Sequence, residues 1–190
     1  SLVLVLATSS FFIVLSVFSG LKGFGSNYAK AFDPDISVFS KTQKFFLYSE
    51  VSEQIANYSE INSFTVELKE KVAVQNEGNT SFVTMIGVDK NYNSVYDIEK
   101  HLETGRWLLN QQGMNESVVS YNLADQLRLG LFNYGGGINV LVPSLKQNNF
   151  FSKPYSTSLH MVSGVFSSSD LERNNTIYVP FSSAKKILGI

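Results

Sequence analysis

The first twenty-one residues, SLVLVLATSSFFIVLSVFSGL, hold no charged side chain, and this run constrains the chain more than any other feature. A helix needs about 20 apolar residues to cross a bilayer. Lys22 is the first charge, and Asp33-Pro34-Asp35 is the first firm stop, because a residue preceding proline is driven out of the helical region. A helix continuous from Ser1 to Phe32 is about 48 Å long at ~1.5 Å per residue. That exceeds a hydrocarbon core of about 30 Å, so a third of it would stand in water as a stalk. Two other readings stay open: a secretory signal, against which stand the missing basic start and cleavage site, and a helix buried in a soluble core. Ala7, Thr8, Ser9 and Ser10 are small enough to let helices approach closely in lipid. The expectation is a membrane span plus stalk over 1–32.

The rest of the chain reads as water-facing and catalytically poor. Net charge is −1 and Lys185-Lys186 is the longest basic run, so nucleic acid is not an expected partner. There is no cysteine, which removes thiolate metal sites, catalytic thiols and disulfides. His101 and His160 have no metal-ligand partner at helical spacing, and no HExxH, GxSxG or P-loop pattern occurs. Gly135-Gly136-Gly137 lacks the Lys and hydroxyl of a phosphate cradle and reads as a turn. Asp33 and Asp35 suit a helix stop better than a cation site, and Asp97, Glu99 and Glu103 read as a solvated acidic turn. No enzyme, cofactor or metal is expected.

Periodicity sets out the elements. Asp35 to Ser40 (DISVFS) alternates as a half-buried strand does. A helix capped by Ser49 follows, with Val51, Ile55 and Tyr58 on one stripe. Phe64, Val66, Leu68, Val72 and Val74 share one face of a long strand, with Thr65, Glu67, Lys69 and Lys71 opposite. Asn76 to Asn79 turns it into a second strand, Phe82 to Val88. This strand, helix and hairpin unit predicts a sheet with one face under a helix. Beyond Lys90 the pieces are shorter: a helical turn in Val95 to His101, a turn at Glu103 to Trp107, a strand at Val118-Val119, and a helix capped by Ser120 and ended by Gly130. Strands follow at Ile138 to Val142, Leu159 to Phe166 and Thr176 to Val179, and a helix at Ser182 to Leu188.

Between two of these strands, Ser144 to Ser158 is polar and spotted with aromatics. Phe150, Phe151, Lys153, Pro154 and Tyr155 form a candidate binding tip, because aromatic residues dominate contact energies and proline limits the entropy lost on docking. The same two phenylalanines also suit a loop anchored back on its own domain.

In order and spacing, SVFSGLKGF, AFDPDISV, LETGRW, VVSYNLADQLRLG, INVLVP, HMVSGVF and IYVPFSSAKKILG are similar to the extracytoplasmic domain of lipoprotein-releasing (Lol-type) ABC transporter permeases, which belong with the MacB-like and FtsX-like permeases. A departure lies at Leu131 to Gly137 (LFNYGGG), where such permeases often carry Gly-Asp. The resemblance implies an α+β MacB-like periplasmic core domain behind the membrane and stalk helix. Its porter-like subdomain would be 31–89 plus 176–190, and an inserted, mostly β subdomain would be 90–175. It also implies the inner membrane as location with the head in the periplasm, and as partners a cytoplasmic ABC ATPase, a second permease copy or paralogue, lipoprotein cargo and a periplasmic lipoprotein carrier. Residues 144–158 occupy the position of the loop with which carrier-recruiting relatives grip their carrier. A MacB-like exporter, an FtsX-like regulator and an anchored binding module without transport are the competing readings.

Overall fold

The computed structural model describes residues 2–30, 34–41, 45–108, 115–130, 136–143, 155–168 and 173–190. The apolar run forms one helix, α1 (Leu2–Lys30), about 44 Å long at ~1.5 Å per residue. Its apolar part, Leu2–Gly23, is 22 residues and none of it is buried against the rest of the chain. A buried core helix is therefore not what this segment is. The Thr8 hydroxyl donates to the Leu4 and Val5 carbonyls at 2.9 and 3.0 Å, so its polar atom is satisfied within the helix, as an apolar medium requires. The helix runs through Gly20 and Gly23.

Seven strands make one mixed sheet. They are β1 (Glu67–Asn76), β2 (Asn79–Val88), β3 (Leu102–Gly105), β4 (Glu116–Ser120), β5 (Gly137–Pro143), β6 (Tyr155–Phe166) and β7 (Thr176–Pro180), in the order β3-β6-β4-β7-β2-β1-β5. β5 also pairs with β6, so six of the strands close into a ring and β3 is appended to it. The β1–β2 hairpin is in register from Glu67↔Val88 to Asn76↔Asn79, and Glu77 and Gly78 turn with positive φ. β2 runs parallel to β7, and β4 parallel to β6. Strands β1, β2 and β7, from the expected porter part, thus share a sheet with β3 to β6, from the expected insertion.

Both faces of the central strands are buried, and period-two alternation sorts their side chains. Met85, Val119, Val165, Ile177 and Val179 point to one apolar cluster, together with Val72, Val74, Ile138 and Val140. Ile86, Val88, Val118, Phe166 and Tyr178 point to the other. Helices α4 (Tyr121–Gln126) and α5 (Phe181–Leu188) cover the first face with Leu123, Ala124, Ala184 and Ile187. The second face is covered by α3 (Tyr92–Val95), a 3-10 turn at Ile98–His101, and Trp107 with Leu108. Glu67, expected on the open face, lies on this covered stretch, whereas Lys69 and Lys71 are exposed.

Several expectations need correction. Asp35 to Ser40 is not a strand and belongs to none of the sheet's pairings; β1 and β7 already take both edges of β2. The helix after it, α2 (Tyr48–Ala56), starts one residue earlier than its expected cap, with Leu47 rather than Ser49 at the N-cap and no side-chain bond there. None of its described residues is buried, so α4 and α5 do the covering that was expected of it. Glu103 belongs to β3, which ends at Gly105 with φ +82. Ser120 does cap α4, accepting from the Leu123 N–H at 3.4 Å and donating to the Asn174 carbonyl at 2.6 Å. That helix ends at Gln126, ahead of Gly130, because Arg128 already turns left-handed with φ 54.

The fit of α5 on the sheet depends on Gly87, where an added Cβ would overlap that of Ala184. Gly87→Ala is expected to lower unfolding stability by about 1–3 kcal/mol through overpacking. Adding Ala184→Gly should recover part of this loss, less the ~1 kcal/mol of placing glycine in a helix. A double-mutant cycle from denaturant unfolding with no coupling between the two sites would show that the helix does not sit there.

Candidate partner-binding site

Among the described strands, β5 and β6 form a long antiparallel pair. They pair from Gly137↔Met161 outward to Pro143↔Tyr155. β1 accompanies β5 only over Ala73↔Leu141 to Gln75↔Asn139. Val142 and Pro143 with their partners Ser156 and Tyr155 are therefore paired only with each other, as the end of a two-stranded arm. Tyr155 is 45% exposed at the start of β6, opposite Pro143. Phe150, Phe151, Lys153 and Pro154 lie outside the described residues, so of the five candidate contacts only Tyr155 is placed, at the base of the loop that joins the arm's strands.

One face of the arm is sealed and the other is not. Ile138, Val140, Val142 and His160 point into the first cluster or its margin and are buried. On the opposite face, the pairings align Phe82, Ala73, Leu141 and Thr157 in one row across four strands, with Thr80, Gln75, Asn139 and Leu159 in the next. Phe82, Leu159 and Met161 are 82, 56 and 45% exposed on that face. Leu159 leans over Gly137, where a Cβ would press on its Cδ1 at 2.8 Å. The alternation in TSLHMV predicts this strand, but it does not say that the outward leucine and methionine stay uncovered. That depends on which elements pack on each face.

His160 anchors the root of the arm. Its ring is wholly buried, with Nδ1 3.3 Å from the Glu116 carbonyl, so the Nδ1–H tautomer donates there and Nε2 is left without a hydrogen-bond partner. Burial holds its pKa below the usual imidazole value, only partly offset by the bond to Glu116. The Glu116 carboxylate, also buried, accepts from Arg106 Nη2 at 2.5 Å, which binds the end of β3 to β4. This hydrogen bond raises the Arg106 pKa.

On the second face, Tyr92 is the hub of an aromatic cluster that the sequence did not flag. Its ring stacks on Tyr96 at 4.4 Å and on Trp107 at 5.7 Å, and Tyr178 meets Trp107 at 5.3 Å and Phe166 at 5.2 Å. Arg173 Nη1 donates to the Tyr178 hydroxyl at 2.8 Å. Burial raises the pKa of Tyr92, Tyr96 and Tyr178, so all three stay neutral. The Tyr92–Tyr96 spacing of one helical turn was the available signal. These rings fix residues 92–108 onto the sheet rather than lining a cleft. Among the described residues no group of His, Asp or Glu is arranged to hold a metal ion.

This architecture matches a known family: residues 1–189 fit the MacB-like periplasmic core domain. The chain belongs to that family. It is the periplasmic domain of a MacB-like ABC transporter permease, a class of domain that is not itself an enzyme. Among solved structures, the extracellular domain of the noncanonical ABC-type transporter YknZ from Gram-positive bacteria is similar at 14% identity and a TM-score of 0.52, over 78% of this chain and 70% of that one. The periplasmic region of MacB from Actinobacillus actinomycetemcomitans is similar at 16% identity and a TM-score of 0.51, over 75% of this chain and 58% of that one. At such identities the likeness concerns the fold. No curated protein matches the sequence.

His160 yields a pH test. Its folded-state pKa is lowered, so below an unfolded-state value of about 6.5 the unfolded chain binds a proton that the folded domain refuses. The stability it contributes is complete above that pH and is lost as pH falls through the lowered folded-state pKa. Unfolding free energy between pH 7 and 5 should therefore fall less steeply in His160→Gln than in the wild type, by up to ~1.4 kcal/mol per pH unit. Parallel curves would mean that His160 takes up its proton in the fold as readily as in the unfolded chain.

Proposed function

We propose that this domain is the extracytoplasmic part of a permease that extracts lipoproteins from the inner membrane and passes them to a periplasmic carrier, driven by a separate cytoplasmic ATPase. The observation that carries the reading is the β5–β6 arm. It ends with Tyr155, 45% exposed, opposite Pro143, and by analogy of position residues 144–158 correspond to the loop with which carrier-recruiting permeases hold their carrier. The apolar, unburied α1 feeding the head supports a membrane anchor and stalk.

The energetics require such a machine. Each CH₂ withdrawn from lipid costs about 0.8 kcal/mol, so two or three acyl chains resist release by tens of kcal/mol. A permease head that makes and breaks no bonds must receive that work from ATP turnover elsewhere, delivered through the helix. In this reading α1 spans the inner membrane, a second permease copy or paralogue completes the assembly, and the segments 31–89 plus 176–190 and 90–175 act as porter and inserted subdomains.

Phe150→Asp or Pro154→Asp, made in the full-length permease, is expected to abolish co-purification of a lipoprotein carrier while the melting temperature of the protein is unchanged. Retained carrier binding in both variants would refute the role of this loop.

A further inference from the structure

The outer side of α4 carries groups that the packing of the head does not use. Tyr121, Ala124 and Asp125 of this helix, with Arg128 and Gly130 just after it, line a hollow of about 310 Å³. Ala124 is buried in the first cluster and Gly130 has no side chain, so neither fills the space. Tyr121, 49% exposed, offers a flat ring on one side. The volume equals about ten waters at ~30 Å³ each, room for one six-membered ring with its substituents.

Asp125 and Arg128 are both exposed, and among the described residues neither side chain has an ion pair or a hydrogen bond. Asp97 and Lys100, also three positions apart, close at 2.8 Å. The difference lies in the backbone. Arg128 is left-handed with φ 54, which takes its Cβ off the helical track that brings residues i and i+3 together. The Arg128 N–H donates to the Asp125 carbonyl and the Leu129 N–H to the Ala124 carbonyl, both at 3.0 Å, so this turn is fixed by its own hydrogen bonds. Glycine is the usual residue at such a position. An arginine there forgoes that preference and places a planar fork of donors on the wall of the hollow.

We propose that this hollow binds a pyranose sugar carrying one carboxylate. The Tyr121 ring takes the apolar C–H side of the sugar. Arg128 donates to the carboxylate through its guanidinium fork, and Asp125 accepts from the ring hydroxyls. The same aspartate limits the charge of the ligand, because a phosphate or polyanion drawn to Arg128 is repelled by the carboxylate beside it. A wholly apolar ligand would strip water from both charged groups and pair with neither. The site uses no residue of the β5–β6 arm, so it stands or falls separately from the carrier reading.

The test titrates the full-length permease in lipid nanodiscs with methyl β-glucuronide and with methyl β-glucoside, its neutral counterpart, by saturation-transfer NMR. The glucuronide is expected to bind with a dissociation constant of about 1 mM, which a ligand of this size can reach. The glucoside should bind about tenfold more weakly, lacking the charge-assisted bond to Arg128. Tyr121→Ala should weaken both sugars by about tenfold. Arg128→Gly should abolish the preference for the acid sugar while the melting temperature is unchanged or raised, because glycine suits the left-handed backbone and a folding defect cannot then mimic the result. Equal binding of the two sugars by the wild type, or glucuronide binding that Tyr121→Ala leaves unaltered, overturns the proposal. Displacement of the glucuronide by a tighter-binding Ala-Glu dipeptide overturns it in favour of a peptide ligand.

Discussion

Burial of β2, β4 and β7 on both faces is the constraint on which the rest of the head depends. A strand covered on one side can leave its other side to water, but Val118-Val119 and Ile177-Tyr178-Val179 have no face to spare. Their alternate residues supply two cores at once, and each core needs its own cover. α4 and α5 provide one cover. The aromatic hub at Tyr92 provides the other, because flat rings shield more area per residue than the short 92–108 segment could with aliphatic side chains.

Ring closure follows from the same constraint. β6 is long enough to pair with β5 along its first part and with β4 and β3 along its second. The sheet thereby buries its strand edges within itself, as barrels do. What the ring does not absorb is informative. The outer ends of β5 and β6 pair only with each other, and none of the described helices covers the face bearing Phe82, Leu159 and Met161.

α1 is a single helix whose apolar part owes nothing to contacts with the head, so its stability must come from its own hydrogen bonds and from the medium around it. Within the head, close packing of Gly87 against Ala184 seats α5, and Ser120 joins β4, α4 and the approach to β7 through one hydroxyl.

Periodicity and capping chemistry, being local, were legible in the chain itself. The long apolar helix at Leu2–Gly23, the β1–β2 hairpin, the Ser120 cap and the glycine stop of α5 each depend on residues within a few positions of one another. The ordered motifs also pointed to the broader MacB-like permeases, the level of family that the chain is shown to belong to. What only the tertiary structure decided were the non-local choices: that β5 closes onto β6, that Glu67 lies on a covered stretch while Leu159 does not, that Tyr92 gathers Trp107 and Tyr178, and that 35–40 remains outside the sheet. An alternating strand specifies two faces but not their neighbours, and those are set by which distant segments compete successfully for each face.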